Sequence, residues 1–233
     1  MRNRCSVCAV LAVAVLFGAA RDARAQQTLN FSLGYFTPLG EDARIEGDVL
    51  NTNRTFLVFD IKEFNGASVG AEWLFPIGDY LEGGAGVSFS RRTVPTVYRE
   101  FVDIDGTEID SDLRLRLLPV ALTFRVLPLG QRNAVQPYFG AGLGIINWRY
   151  SETGEFIDFG NRREIFRDQF VASGSRTGPV VLGGIRFGGE SVSAGGEIRY
   201  QKADADLDDQ FASRKLDLGG WTYNVTVGVR FGR

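Results

Sequence analysis

Seven charged residues occupy alternate positions within apolar or glycine-rich segments, and they are the residues whose types could do chemistry. They are Glu72, Glu82, Arg125, Arg186, Glu197, Arg199 and Arg230. Alternate residues of an extended strand point to opposite faces, so these side chains lie opposite the apolar ones. A charge removed from water must be paired, because its desolvation is otherwise severe. We predict a salt-bridged network that fills a narrow interior, with a gated path for small solutes as the alternative.

Catalytic groups are few in this sequence. It contains no histidine, which excludes a Ser-His catalytic pair, an Asp-His protease site and any histidine-ligated metal. Ser-Lys chemistry is formally possible, but after residue 25 the only lysines are Lys62, Lys202 and Lys215, all in or near predicted loops. We expect a protein that is not an enzyme and that uses no cofactor and no metal.

The final segment, WTYNVTVGVRF at residues 221–231, indicates the element that positions such charges. Its odd positions are apolar or aromatic, and its even positions are polar or glycine. This strict period of two predicts a strand with one apolar face. Its length matches the roughly 9–11 residues that a tilted strand needs to cross a bilayer.

Seven earlier segments show the same alternation, so we predict eight strands. They lie at about residues 29–37, 67–75, 81–90, 117–126, 136–146, 178–187, 192–200 and 221–231. The connections alternate between long and short, and the long polar ones cover residues 38–65, 92–112, 151–176 and 202–217. Residues 56–59 could extend a strand within the first of these. An even strand number with sorted loop lengths is typical of outer-membrane barrels.

Aromatic residues on the apolar faces form two predicted girdles. Tyr35, Phe89, Tyr200, Trp221 and Tyr223 lie toward the long connections, and Trp73, Phe75, Phe139, Phe187 and Phe231 lie toward the short turns. Such belts are expected at the two interfaces of a bilayer. The fold class is therefore all-β, an eight-stranded antiparallel up-and-down transmembrane barrel with short periplasmic turns and four long extracellular loops. A soluble secreted barrel that binds an apolar ligand inside is the alternative.

Four arginines continue the apolar faces of three neighbouring strands toward their outer ends. They are Arg91, Arg114, Arg116 and Arg149. If the alternation is unbroken, they form a basic patch at the outer rim that binds lipopolysaccharide phosphates through bidentate contacts. The alternative is a β-bulge near Leu117, which would turn Arg114 and Arg116 inward and dissolve the patch.

Two acidic clusters lie in the predicted loops. One consists of Asp103, Asp105, Glu108, Asp110 and Asp112, and the other of Asp204, Asp206, Asp208 and Asp209. The first includes an Asp-x-Asp-Gly fragment but lacks the full calcium-loop spacing with a glutamate at the twelfth position. We interpret both clusters as solvated loop charge.

Residues 1–25 have the features of a secretory signal peptide. Arg2 and Arg4 precede an apolar stretch at residues 7–20, which is too short to span a membrane as a helix. Cleavage is predicted after Ala25, with Ala20 as the alternative, so that residues 26–233 form the barrel domain. The segment removed contains both cysteines of the chain, and the mature protein therefore has no disulfide.

The charge balance argues against a nucleic-acid partner. The chain carries 26 basic and 28 acidic residues, of which residues 1–25 hold four and one, so the net charge of the mature chain is −5. Nucleic-acid-binding domains are instead basic on at least one face.

Three stretches give the chain a family resemblance. They are PVALTFR at residues 119–125, QPYFGAGLG at residues 136–144 and the terminal strand that ends in Phe231. The chain resembles the small eight-stranded outer-membrane barrels of the OmpA membrane domain and OmpW types. The resemblance implies that the barrel insertion machinery reads Phe231 as the terminal aromatic signal. The OmpW likeness implies a narrow channel for small solutes or small hydrophobic molecules as an alternative function.

These observations predict an exported, monomeric protein of the bacterial outer membrane. Its expected role is structural, or a surface interaction made through the extracellular loops. Its expected partners are outer-membrane lipid, lipopolysaccharide and the insertion machinery.

Overall fold

The computed structural model describes residues 26–158, 164–189 and 191–232. The predicted signal peptide and both candidate cleavage sites lie outside the described residues. These residues form ten strands: β1 (Gln27–Pro38), β2 (Gly66–Ile77), β3 (Leu81–Val102), β4 (Glu108–Val126), β5 (Val135–Asp158), β6 (Glu164–Gly188), β7 (Val192–Gln201), β8 (Asp204–Asp206), β9 (Lys215–Asp217) and β10 (Gly220–Phe231).

Eight of these strands close a barrel. The order around it is β1-β10-β7-β6-β5-β4-β3-β2, and each neighbouring pair is antiparallel. The last strand closes on the first, with Gln27 opposite Phe231. The predicted eight-stranded up-and-down barrel is thereby confirmed. We call the end with the short turns, between β2 and β3, β4 and β5, and β6 and β7, the lower end.

The alternation of side chains sorts the two faces of the wall as predicted. Leu33, Leu122 and Val225 point outward and are 66%, 67% and 67% exposed. Thr123 and Thr226, on the same strands, point inward and are buried. Nine of the ten residues of the predicted girdles are exposed on the outer face, and Tyr200 is half-buried against Trp221, with ring centroids 4.8 Å apart. The barrel therefore carries an apolar belt around its outside.

Four strands are much longer than the belt requires. β1, β2, β7 and β10 have 10–12 residues, whereas β3, β4, β5 and β6 have 22, 19, 24 and 25. About 9–11 residues suffice to cross a bilayer. The extra residues build two hairpins that rise above the belt at the upper end.

The predicted loops at residues 92–112 and 151–176 are therefore wrong. Only residues 103–107 separate β3 from β4, and of the connection between β5 and β6 residues 159–163 lie outside the described part. The first stretch keeps the period of two, with Val94, Thr96 and Tyr98 buried on the inner face, and in the second stretch Phe156 and Ala172 are buried. Charged residues on the opposite face gave these strands the composition of loops.

The first long connection is not an exposed polar loop either. Residues 39–65, which we call the plug, contain a 3-10 turn (Glu41–Ala43), a short helix α1 (Val49–Asn53) and a second 3-10 turn (Ile61–Phe64). The strand extension predicted at residues 56–59 is reduced to a single bridge between Leu57 and Tyr98. The plug folds inward because its apolar side chains need cover. Those that it buries are Val49, Leu50, Leu57, Phe59, Ile61 and Phe64.

The upper half of the barrel thus has an apolar core of its own. The hairpin walls contribute Leu113, Leu115, Trp148 and Tyr150, and the plug packs against them. The fourth long connection closes the remaining side with the β8–β9 hairpin and its neighbours Leu207, Phe211 and Leu218. This core replaces two of the four predicted loops with packed structure.

Among the described residues, no helix has the length and hydropathy needed to cross a membrane.

Candidate functional site

The inward charges meet at the level of the belt. Arg125 on β4 lies at the centre and is 1% exposed. It donates to Glu72 on β2 and, at 2.9 Å, to Glu197 on β7, and its other guanidinium nitrogen lies 3.7 Å from Glu82 on β3. The cross-strand register accounts for the last pair, because Glu82 is the direct neighbour of Arg125. One arginine thus joins carboxylates from three strands across the lumen.

Two further arginines extend this cluster in opposite directions. Arg186 donates to Glu82 at 2.9 Å toward the lower end. Arg199 lies 2.9 Å from a carboxylate oxygen of Glu197 and 3.3 Å from one of Glu72. We call Glu72, Glu82, Arg125, Arg186, Glu197 and Arg199 the lumen network. The structure thus brings six of the seven predicted residues into one set of ion pairs.

Arg230, the seventh, lies apart from these ion pairs. Its guanidinium donates to the carbonyl of Gly189 at 2.8 Å and to the side-chain oxygen of Gln136 at 3.3 Å. It is half-buried at the lower mouth of the barrel. Among the described residues, its hydrogen-bond link to the lumen network runs through Gln136, which also accepts a 2.9 Å hydrogen bond from Arg186.

Two uncharged residues complete the lumen network, and sequence reasoning missed both. The Tyr138 hydroxyl donates to Glu197 at 3.2 Å, and the guanidinium of Arg125 lies 4.8 Å from the centre of the Tyr138 ring. The Thr123 hydroxyl donates to Glu72 at 3.2 Å. Both residues share the inward parity of Arg125, so the alternation could have identified them. Their role is to satisfy carboxylate oxygens that ion pairs alone leave incomplete.

Glycines on the inner face make room for these long side chains. A Cβ at Gly184 would lie 2.6 Å from the Tyr138 hydroxyl and closer still to the carbonyl of Gly196. A Cβ at Gly84 would lie 2.6 Å from the Thr123 hydroxyl and 2.9 Å from Glu72. These two glycines thus admit opposing long side chains into the lumen and do not leave it open.

The plug is joined to the wall of the upper core by buried polar contacts. Asn53 of α1 donates to Glu152 of β5 at 2.7 Å, and the Tyr150 hydroxyl donates to the same carboxylate oxygen at 2.7 Å. Burial raises the pKa of Glu152, and the two hydrogen bonds lower it in part. Among the described residues, no arginine or lysine forms a salt bridge with this carboxylate.

A second buried polar cluster holds the start of the plug. Arg44 donates to Asp48 at 2.7 and 2.9 Å and to the carbonyl of Asp217 at 2.9 Å. Asp48 also caps α1 by accepting from the backbone of Leu50 and Asn51. These contacts tie the plug to the β8–β9 hairpin.

The four predicted outer-rim arginines remain on the outward face. The β3–β4 register is the same below and above Leu117, so no bulge turns the upper strand. Arg91 lies opposite Arg116, and Arg116 lies opposite Arg149 on the next strand. We call Arg91, Arg116 and Arg149 the arginine row. All three are exposed.

Arg114, the fourth, lies one step above the arginine row. It is half-buried and donates to the Thr93 hydroxyl at 3.0 Å. In the described part of the chain none of the four arginines forms a salt bridge. Like charges directly opposite each other on neighbouring strands destabilise a sheet, so the row would gain from a bound anion.

In the part of the chain that the structure describes, the acidic clusters and the lysines form no common site. Asp105 accepts from the backbone and hydroxyl of Thr107, which lowers the pKa of its exposed carboxyl. Asp206 and Asp209 pair with Arg176 and Arg214. Across residues 26–158, 164–189 and 191–232, no group of three or more acidic, cysteine or histidine side chains could hold a metal ion. Lys62, Lys202 and Lys215 are all exposed.

No protein-family model matches the sequence, and no curated protein matches it. Solved structures of small outer-membrane barrels are similar in fold. Ail, the attachment invasion locus protein of Yersinia pestis, is 11% identical, with 89% of this chain and 99% of that chain covered and a TM-score of 0.42. The N-terminal barrel of Pseudomonas aeruginosa OprF is 14% identical, with 89% of this chain and 99% of that chain covered and a TM-score of 0.42. Neisserial surface protein A is 12% identical, with 89% of this chain and 97% of that chain covered and a TM-score of 0.44. At these values the functions of those proteins do not transfer to this chain.

Proposed function

We propose that this protein is an integral barrel of the bacterial outer membrane with a closed lumen and a non-enzymatic, structural or surface-interaction role. The apolar belt supports the location. So much exposed apolar surface is a liability in water, whereas a bilayer would cover it. A closed barrel also satisfies its backbone groups within lipid. The alternative of a soluble ligand-binding barrel would need an apolar cavity, but the lumen is lined by charge at the level of the belt.

The proposed orientation puts the short turns in the periplasm and the long hairpins outside the cell, as in outer-membrane barrels generally. The predicted signal peptide would supply export. Phe231 ends β10 with its ring on the outward face, about half exposed, where the insertion machinery could read it. The chain would function as a monomer, since its own first and last strands pair and no second chain is needed to complete the wall.

The closed lumen is the observation that carries the proposed role. At the level of the belt the lumen network fills the interior, and Arg125 and Glu197 are 1% and 4% exposed. Above it, the plug buries Val49 and Leu50 completely. A channel for small solutes would have to open both layers. The cavity beside Glu72 and Glu197 has a volume of only about 30 Å³, which is room for about one water molecule.

A packed upper half fits a surface-interaction role. The two long hairpins are held by an apolar core and by the Asn53–Glu152 contact, so they would present a fixed surface. A mobile loop loses conformational freedom when it binds, whereas a fixed surface does not incur that cost.

Lipopolysaccharide is the partner that we propose for the arginine row. Arg91 of the row lies two residues above Phe89, an exposed aromatic of the upper girdle, and Arg116 and Arg149 lie level with Arg91. This is the depth expected for lipid phosphates. Three guanidinium groups side by side can each offer a fork of donors to a phosphate. Bound phosphate would also offset the repulsion between the guanidinium groups that lie opposite one another on neighbouring strands.

The membrane location is tested by fractionation and gel mobility. We expect the protein in the outer-membrane fraction, with a mobility in SDS that changes on boiling because a compact barrel resists SDS until it is heated. Recovery of the folded protein from the soluble fraction without detergent would refute the proposed location.

The lipopolysaccharide proposal is tested with the triple variant Arg91→Gln, Arg116→Gln, Arg149→Gln. We expect its affinity for lipopolysaccharide to fall on the order of tenfold or more, since charge-assisted hydrogen bonds each contribute about 1.5–3 kcal/mol. Arg99→Gln, Arg167→Gln, Arg214→Gln is the matched control, because it removes the same charge from the upper part outside the row. Equal affinities in both variants would exclude a specific role of the row.

A further inference from the structure

The lower end of the barrel holds a cavity that the proposed function does not use. Its volume is about 590 Å³, within the range of roughly 300–1,000 Å³ that is usual for small-molecule sites. We call it the lower cavity. It opens between the short turns, and its lining includes Gln131, Gln136, Glu82, Arg186 and Arg230. Amide and guanidinium groups thus line the cavity, together with the carboxylate that pairs with Arg186.

The charges that lead into this cavity do not cancel. Together the lumen network and Arg230 contain four arginines and three glutamates, so one positive charge is in excess. The arginines are Arg125, Arg186, Arg199 and Arg230, and the glutamates are Glu72, Glu82 and Glu197. Arg125, Arg186 and Arg199 each lie within 4 Å of a carboxylate oxygen of these glutamates. Among the described residues, no carboxylate lies within that distance of Arg230. The excess charge therefore resides at the mouth of the cavity.

Gln136 fixes the position of this excess charge. Its side-chain amide nitrogen donates to the carbonyls of Gln131 and Asn133, at 2.5 and 2.9 Å. With the nitrogen committed in this way, its oxygen must face the guanidinium groups of Arg186 and Arg230. Two arginines are thereby held around one amide oxygen. An amide oxygen offsets their charge less than a carboxylate would.

Arg132 at the rim does not change this balance. It lies 3.4 Å from Asp79, and both side chains are mostly exposed, at 87% and 58%. The pair is neutral and solvated, so it contributes little. Arg132 is therefore a suitable control for Arg230, because it lines the same cavity without carrying the excess charge.

We propose that the lower cavity binds a small organic carboxylate through Arg230. The ligand carboxylate would accept from the guanidinium fork of Arg230, and the rest of the molecule would lie among the amides of the cavity wall. Acidic peptides and acidic sugars share this chemistry. The site is independent of the arginine row and of the surface role.

The experiment uses the folded full-length mature chain in detergent, with the arginine side chains labelled for nitrogen NMR. The probes are N-acetyl-alanyl-alanine, its carboxamide, galacturonate and inorganic phosphate. We expect the Arg230 signal to shift and saturate with N-acetyl-alanyl-alanine or galacturonate, whichever source fits, and not with the carboxamide. Arg230→Gln, followed through the signal of Arg186 in the same cavity, should weaken binding on the order of tenfold or more, and Arg132→Gln should leave it unchanged. Gel mobility in SDS verifies that each variant is folded.

Three results would overturn the proposal. Equal binding of the carboxamide would remove the carboxylate from the interaction, and binding of phosphate alone would assign the cavity to another class of anion. Glu190 lies outside the described residues and is adjacent in sequence to Gly189. If only Glu190→Gln binds the carboxylates, Glu190 is the counter-ion of Arg230 and the cavity has no ligand of this class.

Discussion

Asn53, on the short helix of the plug, donates a 2.7 Å hydrogen bond to Glu152 on the wall of the barrel. Ninety-nine residues separate the two in the chain, so this contact closes a long loop. Its partner is a carboxylate that is 6% exposed and that forms no salt bridge among the described residues. We therefore expect docking of the plug to depend on the protonation state of Glu152.

The Glu152 contact predicts a plug that is more stable at lower pH. Burial raises the pKa of Glu152 above its ordinary value. A carboxyl group with a raised pKa contributes its full stability below the ordinary value, and that stability is lost as the pH rises through the raised value. We expect slower hydrogen exchange in residues 49–57 at about pH 4 than at about pH 8, after correction for the intrinsic rate.

Glu152→Gln should abolish this pH dependence, because the amide oxygen can still accept from Asn53 and Tyr150 while the charge is gone. Glu155→Gln is the control, since Glu155 on the same strand pairs with Arg167 near the surface at 3.0 Å. A pH dependence that survives Glu152→Gln, or that disappears in Glu155→Gln, would contradict the assignment.

Removing the Arg125 side chain should destabilise the barrel. Arg125→Met leaves Glu72 and Glu197 with fewer cations in a buried site, and breaking a buried pair in this way typically costs about 3–5 kcal/mol. The midpoint of urea unfolding, followed by tryptophan fluorescence, would measure the loss. Arg167→Met breaks an exposed pair and should change stability by no more than about 1 kcal/mol. Similar midpoints for the two variants would mean that the lumen network does not stabilise the barrel.

The arginine row predicts an effect whose sign depends on the ligand. Arg116 has an arginine directly opposite it on each side. In neutral detergent Arg116→Gln should stabilise the barrel by about 0.2–1 kcal/mol for each repulsive pair removed, whereas with lipopolysaccharide present it should destabilise it. Arg116→Lys keeps the charge and should show no gain in neutral detergent. A change of the same sign in both conditions would argue against anion binding at the row.

Gly184 should not tolerate a side chain. Gly184→Ala would place a methyl group 2.6 Å from the Tyr138 hydroxyl and against the backbone carbonyl of Gly196. Such overpacking typically costs about 1–3 kcal/mol. Gly40→Ala is the control, because nothing lies within 4 Å of its Cβ position. Unchanged thermal stability of Gly184→Ala would show that the inner face is less tightly packed than described.

The barrel itself could be predicted because the alternation of residues determines both strand and face. The inward set from Glu72 to Arg199 followed from parity alone. Parity does not predict which carboxylate pairs with which arginine. Glu82 and Arg186, for example, are 104 residues apart in the chain and meet across the lumen. Such pairs depend on strand tilt and stagger, which a single sequence does not specify.

Composition alone does not reveal the plug, because its turn-forming residues are also typical of a loop. Asp60 and Glu63 form a capping box around the second 3-10 turn, and this spacing is visible in the sequence. Phe56, Leu57 and Phe59 are also too apolar for a solvated loop. Composition does not reveal the long hairpins either. Charged residues on their outer faces give these strands the average composition of loops, although their inward residues are apolar.

Conductance in planar lipid bilayers tests the closed lumen most directly. The mature protein, folded and inserted, should give no unitary current steps, because the lumen network and the plug block the barrel in two layers. A variant that carries Arg125→Ala, Glu72→Ala and Glu197→Ala, and in which a short glycine-serine linker replaces residues 41–64, should conduct if it still folds, since the centre of the lumen network and the plug are then removed. Discrete, reproducible current steps from the unmodified protein would contradict the closed lumen and favour the channel alternative.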